Sequence, residues 1–185
     1  DVFTIQEEFG ELQGRHLVFV GDANNVSRSL AIACGKLGLR FTLACPASYQ
    51  FTAEEKAEIE SGCGDFEFTH TDDAMQAVAD ADAIYTDVWA SMGQEKEQKQ
   101  REQDFAQFQV NEELMAAAPG HAIFLHCLPA KRGQEVTDGV MDGTQSRIIA
   151  QAGNRMHAQK GLLVWLLARQ MATLWVRRSK RTMSR

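Results

Sequence analysis

The stretch AIFLHCLPA (residues 122–130) opens as an unbroken apolar run and ends on a histidine, a cysteine and a proline. Continuous apolarity of this kind is what a strand buried on both faces requires, as in a parallel sheet covered by helices. Pro129 has no N–H to offer a neighbouring strand, so pairing must stop there, and a proline biases the preceding Leu128 towards extended angles. The carbonyls of Cys127 and Leu128 are then left without ladder partners at the sheet rim. A planar NH2 group on a ligand would suit two such acceptors. Cys127 as a nucleophile would need a base beside it. Its neighbour His126 points to the opposite face of an extended chain, so a buried thiol lining a site is the expected role.

The same alternation of apolar runs and helical patterns extends in both directions. HLVFVGD (16–22), FTLACP (41–46), FEFTH (66–70) and AIYTD (83–87) read as further strands. Between them, SRSLAIACGKLG (27–38), TAEEKAEIESG (52–62) and DDAMQAVADAD (72–82) carry helical spacing. The second has a threonine cap, glutamates in its first turn and a terminal glycine. NRMHAQKGLLVWLLARQMATLWV (154–176) reads as one long helix, weakened at Gly161. Strands alternating with helices predict an α/β domain of three layers, Rossmann-like, with a mainly parallel sheet and helices on both faces. Ligands of such sheets bind beyond the carboxyl ends of the strands. The polar run GQEKEQKQREQ (93–103) follows a strand end and is expected to form a mobile flap over that site, though its composition also suits a solvated helix.

The chain has 185 residues, 44% hydrophobic, with a net charge of −6, which suits a single domain spanning 1–185 and lacks the basic face a nucleic-acid surface needs. No apolar run reaches the ~20 residues of a membrane span, and the acidic, polar start does not resemble a signal peptide. Cys34, Cys45, Cys63 and Cys127 lie far apart with no CxxC pair, so they read as reduced thiols of a cytoplasmic protein, with no metal site. The basic run RRSKR (177–181) reads as a solvated terminus.

Three more strand-end clusters carry chemistry. In GDANNVSRSL (21–30) the phosphate-binding pattern GxGxxG is absent, which counts against a nucleotide-dependent oxidoreductase. Asn24 and Asn25 open a helix, where an asparagine either caps the backbone or holds a ligand carboxylate. In TDVWASMGQE (86–95), Asp87 places a carboxylate at the rim, suited to a ligand ammonium or to capping the next helix. Ser91 and the Met92 backbone follow one loop turn on, and Trp89 reads as packing. In NRMHAQK (154–160), Arg155 is a fork-shaped cation suited to phosphate or carboxylate.

Taken together, GDANNV, DVWASMGQE, HCLPA and NRMHAQK resemble the ornithine-binding domain of the ornithine carbamoyltransferase family, in that family's order and approximate spacing, over nearly the whole chain. The resemblance implies transfer of the carbamoyl group of carbamoyl phosphate to the uncharged side-chain amine of L-ornithine, giving citrulline and phosphate without metal or organic cofactor. It implies that Asn25, Asp87, Ser91 and Met92 hold the amino-acid end of ornithine. Cys127 and Leu128 would accept from the carbamoyl NH2, and Arg155 would help fix carbamoyl phosphate, making Cys127 and Arg155 the catalytic pair.

The chain departs from the family in what it lacks. The family's first domain carries an STRTR-like phosphate-binding run and an HPxQ-like run, and neither occurs here. The carbamoyl-phosphate-binding domain is therefore expected to be missing, and the chain alone to be inactive, whether it is part of a longer enzyme or a stand-alone relative. Gln151, Ala152 and Gly153 stand where the family usually carries acidic residues. Without a first domain to cover it, the apolar face of 161–176, with Trp165, Leu166 and Trp175, is expected to drive homo-oligomerisation or exchange of this helix. The rival readings are a putrescine carbamoyltransferase domain and a non-catalytic amino-acid-binding module.

Overall fold

A computed structural model describes residues 1–63, 66–90 and 97–182, with side chains described as far as residue 168. Five strands, β1 (His16–Val20), β2 (Arg40–Ala44), β3 (Phe68–Thr71), β4 (Ala83–Thr86) and β5 (Ile123–His126), form one sheet in the order β3-β2-β1-β4-β5. Every pairing is parallel. The chain winds outward from β1 to β3, then crosses back to β4, so the order reverses between β1 and β4, where doubly wound sheets open a crevice.

The strands are apolar on both sides because both faces are covered: Leu17 to Val20 and Ile123 to Leu125 are all but inaccessible. The helices fall into two groups in contact among themselves. One comprises α1 (Val2–Phe9), α2 (Asn25–Leu37), α3 (Ala53–Glu60) and the start of α8 (Ile148–Thr182). The other comprises α4 (Ala74–Ala77), α6 (Glu112–Ala117) and α7 (Asp138–Met141). Helix α5 (Gln98–Asp104) lies beyond the end of β4.

Local chemistry sets the boundaries. Helix α2 begins in a reciprocal cap: Asn24 accepts from Val26 and Ser27 N–H, and Ser27 Oγ accepts from Asn24 N–H. It ends at Gly38, whose φ of 77° is the left-handed turn that glycine reaches without a Cβ clash. Thr52 and Glu55 make the same reciprocal cap on α3. Gly21, with φ 153°, ends β1, and a Cβ there would lie 3.1 Å from the Phe19 ring.

Four sequence expectations change. The 154–176 helix starts six residues earlier, at Ile148, and passes through Gly161 unbroken. Buried Ile148, Gln151 and Asn154 anchor its first turns, which outweighs the ~1 kcal/mol cost of an interior glycine. The 72–82 helix contracts to α4 and a 3-10 turn. Within the expected flap, residues 98–103 belong to helix α5, whose Arg101 is buried, and 93–96 lie outside the described residues. Leu128 is not extended: its φ is 56°, and its bond to Pro129 is cis. Its N–H donates to His126 Nδ1 at 2.8 Å, so a side chain two residues back, rather than a strand partner, sets its backbone.

Candidate active site

Three strand ends meet at one carboxylate. Asp87, half-buried just past β4, accepts from the Val88 N–H at 2.8 Å and from the Cys127 thiol at 3.0 Å through Oδ1. Through Oδ2 it accepts from Asn24 Nδ2 at 3.1 Å. Asn24 follows β1 and Cys127 follows β5, so loops distant in sequence are tied together at the carboxyl edge of the sheet. All three donors are neutral. They fix the carboxylate's orientation without cancelling its charge.

The pocket walls follow from the same rim. A cavity of about 310 Å³ runs between the start of α2 and the strand ends, lined by Asn25, Val26, Tyr85 and Cys127 among others. A second, of about 390 Å³, lies between β5 and the start of α8, with His126, Cys127, Gln151 and Arg155 in its wall. A third, of about 570 Å³, brings Leu128 and Pro129 to Arg155. Cys127 borders all three. Five of the seven residues singled out in sequence, Asn25, Asp87, Cys127, Leu128 and Arg155, therefore gather at one edge. Ser91 and Met92 lie outside the described residues.

Electrostatics separates the functional options. Burial, followed by the hydrogen bond to the Asp87 carboxylate, pushes the Cys127 thiol up to about 12. The facing carboxylate disfavours the thiolate, and no imidazole is hydrogen-bonded to the thiol among the described residues, which counts against Cys127 as a nucleophile. The residue as a whole is exposed, not buried as expected from sequence, because the chain leaves the sheet at His126, although the sulfur itself is partly enclosed beside Asp87. The carbonyls of Cys127 and Leu128 accept no hydrogen bond from any described residue, as the proline predicts. Arg155 is exposed and unpaired among the described residues. Arg15, Arg28, Arg40, Arg101, Arg132 and Arg147 each lie within ion-pair distance of a carboxylate.

Other residues at this edge were not singled out. Asn24, left open in sequence between cap and ligand holder, is a cap and an Asp87 partner, because its oxygen serves the helix and its NH2 the carboxylate. Buried Gln151 accepts from His126 N–H at 2.9 Å and donates to the Tyr85 hydroxyl at 3.1 Å, locking α8 to β4 and β5 one turn before Arg155. Its amide can do both; the departure at 151 was visible in the sequence, its contacts were not. Arg101 reaches from α5 to Asp22 at 2.6 Å and to the Trp89 carbonyl at 3.0 Å. Its guanidinium lies over the Tyr49 ring, and Trp89 packs on Phe105.

Among the described residues, no group of three His, Cys, Asp or Glu is placed to hold a metal, and no helix is long and apolar enough to cross a membrane.

Residues 13–166 match the family model described as aspartate/ornithine carbamoyltransferase, Asp/Orn binding domain. The chain belongs to the aspartate/ornithine carbamoyltransferase family. It is 49% identical over 170 residues to an ornithine carbamoyltransferase of Anoxybacillus flavithermus, covering 90% of this chain and 54% of that protein. Its fold superposes on ornithine carbamoyltransferase from Pyrococcus furiosus with a TM-score of 0.81 at 46% identity, over 88% of this chain and 53% of that one. The Gloeobacter violaceus carbamoyltransferase gives 0.77 at 42% identity, over 88% and 55%. The chain thus spans about half the length of the carbamoyltransferase relatives it matches. What those relatives share with it is the domain whose strand ends are described above.

Proposed function

We propose that this chain, as one domain over 1–185, supplies the ornithine half-site of a two-domain carbamoyltransferase. The amine nitrogen of L-ornithine attacks the carbonyl carbon of carbamoyl phosphate, the carbon–oxygen bond to phosphate breaks, and nitrogen loses one proton, giving citrulline and phosphate. In this reading Asp87 takes the ornithine ammonium, with Asn25, Ser91 and Met92 on the rest of its amino-acid end. The Cys127 and Leu128 carbonyls accept from the carbamoyl NH2. Arg155, unpaired among the described residues, offers its fork to the phosphate or to the oxygen that gains charge as nitrogen attacks. Cys127 contributes as a protonated donor to Asp87 and as backbone, and catalysis is positioning plus electrostatic stabilisation.

The observation that carries the reading is the meeting of three strand ends on Asp87 with neutral donors only, among the described residues. A carboxylate so held is oriented without a cation beside it among the described residues, which suits a cationic ligand group.

Calorimetric titration of L-ornithine into the chain tests it, with putrescine as the competing ligand. Saturable binding of ornithine and none of putrescine is expected; preference for putrescine, or no binding of either, overturns it. The reading further makes the carbamoyl-phosphate site the work of a second domain. Citrulline formation is then expected from a protein carrying both domains and not from this chain alone. The free thiols fit a reducing compartment, such as the cytoplasm. The exposed Leu162, Leu163, Val164, Leu166 and Leu167 of α8 fit self-association. A strict monomer in sedimentation at micromolar concentration would refute that last point.

A further inference from the structure

His126 closes β5 with its side chain wholly sealed from solvent. Its Nδ1 accepts the Leu128 N–H at 2.8 Å. A ring nitrogen that accepts carries no proton, so the neutral ring must hold its hydrogen on Nε2. The polar group beside Nε2 is Oε1 of Glu135, 3.3 Å away, on a side chain equally sealed from solvent. Oε1 also accepts the Lys131 N–H at 2.5 Å, which fastens the carboxylate to the loop that follows Pro129. Nε2 and Oε1 face each other at 3.3 Å without the alignment of a hydrogen bond, so Nε2 has no hydrogen-bond partner among the described residues, and neither has Oε2.

A buried carboxylate with an idle oxygen is a poor way to stabilise a fold, since apolar side chains of similar size do as well or better. We propose that Glu135 is a positioning residue that holds the His126 imidazole in its Nε2–H form, leaving Nδ1 bare to fix the left-handed turn at Leu128. That turn takes the Cys127 and Leu128 carbonyls out of the ladder. Glu135 thus acts on the acyl-donor side of the site without touching a ligand. The functional part of this inference rests on the reading of those carbonyls as the carbamoyl acceptors.

The test reads geometry directly. Long-range 1H–15N spectra of the chain, with His126 assigned by substitution, report which ring nitrogen is protonated, and amide exchange reports the Leu128 N–H. The wild-type chain is expected to show His126 as a single Nε2–H species. E135Q keeps an oxygen for Nε2 and is expected to retain that species. E135L removes the facing oxygen, mixes the two tautomers and speeds Leu128 exchange roughly tenfold, as expected when its bond to Nδ1 is lost. A wild-type ring protonated on Nδ1 overturns the proposal, whether or not E135L folds. So does a folded E135L with the wild-type tautomer and exchange rate, which would leave Glu135 merely structural. Both measurements are made without ligand, so their failure is distinct from a failure of ornithine to bind.

Discussion

Replacing Asp87 by Asn separates binding from folding at the centre of the site. The carboxylate takes three hydrogen bonds, two on Oδ1 and one on Oδ2. An amide keeps the Oδ1 pair but turns its NH2 towards Asn24 Nδ2, setting donor against donor. Asn24 cannot turn over in response, because its oxygen is committed to Val26 and Ser27 N–H. One bond is lost, about 1 kcal/mol. In a domain of this size that lowers Tm by roughly 2–4 °C. The ligand loses more. A charge-assisted bond to an ammonium contributes ~1.5–3 kcal/mol, so ornithine affinity should fall by about one to two orders of magnitude. Scanning calorimetry and ornithine titration on the same preparations measure both. Affinity unchanged at full stability would remove Asp87 from the site. Loss of the cooperative thermal transition would make it a structural carboxylate.

Arg101→Leu should cost about 3–5 kcal/mol in urea unfolding, because Asp22 is left half-enclosed without its cation. Adding Asp22→Asn should recover part of that loss, and no recovery would show that the ion pair is not the cause. Iodoacetamide should label Cys127 slowly at pH 7.5 and faster with each unit towards pH 10, since its thiol sits at about 12. Rapid labelling at neutral pH, located by peptide mass, would contradict that. Burial alone would raise the Asp82 carboxyl, but the His16 N–H, Arg15 and His121 together hold it below its ordinary value. Its contribution to stability is therefore complete above the unfolded carboxylate range near ~4 and is lost as pH falls through the lower folded value. Asp82→Asn should be less stable than wild type at pH 7, with the gap narrowing as pH falls below the unfolded carboxylate range. A gap independent of pH would refute the role given to its charge.

The strand ends were legible because burial on both faces writes itself into the sequence as unbroken apolar runs. Gly21, Asp87 and Pro129 interrupt those runs, and the rim of the sheet lies where they do. Glycine and threonine signals likewise placed the end of α2 and the start of α3. Helices α1, α6 and α7 went unassigned: each is 4–8 residues long and carries too few turns for a periodicity to emerge. Arg101 illustrates a different limit. Within GQEKEQKQREQ it is one charge among many, and only the fold puts Asp22, Tyr49 and the Trp89 carbonyl around it. Leu128 exposes a third limit. The proline rule describes the preceding residue's steric preference, and here a hydrogen bond from its own N–H to His126 prevails.

The distribution of charge at the rim favours a ligand carrying both signs. Asp87 is approached by an amide, a backbone N–H and a thiol, none of which neutralises it. Arg155, across Cys127, has no carboxylate partner among the described residues, while the six other arginines with described side chains are all paired. An anion and a cation that, among the described residues, have no partner of opposite charge, on either side of one exposed residue, gain nothing for the fold, since pairing them elsewhere would stabilise it at least as well. They gain if a ligand ammonium meets one and an anionic donor the other. Neutral carbonyls between them then face the group in transit, and the thiol pinned to Asp87 keeps a strong nucleophile from intercepting it. Gln151 fits the same economy of charge: an amide joins His126 to Tyr85 one turn before Arg155, where a carboxylate would offer that arginine an internal partner.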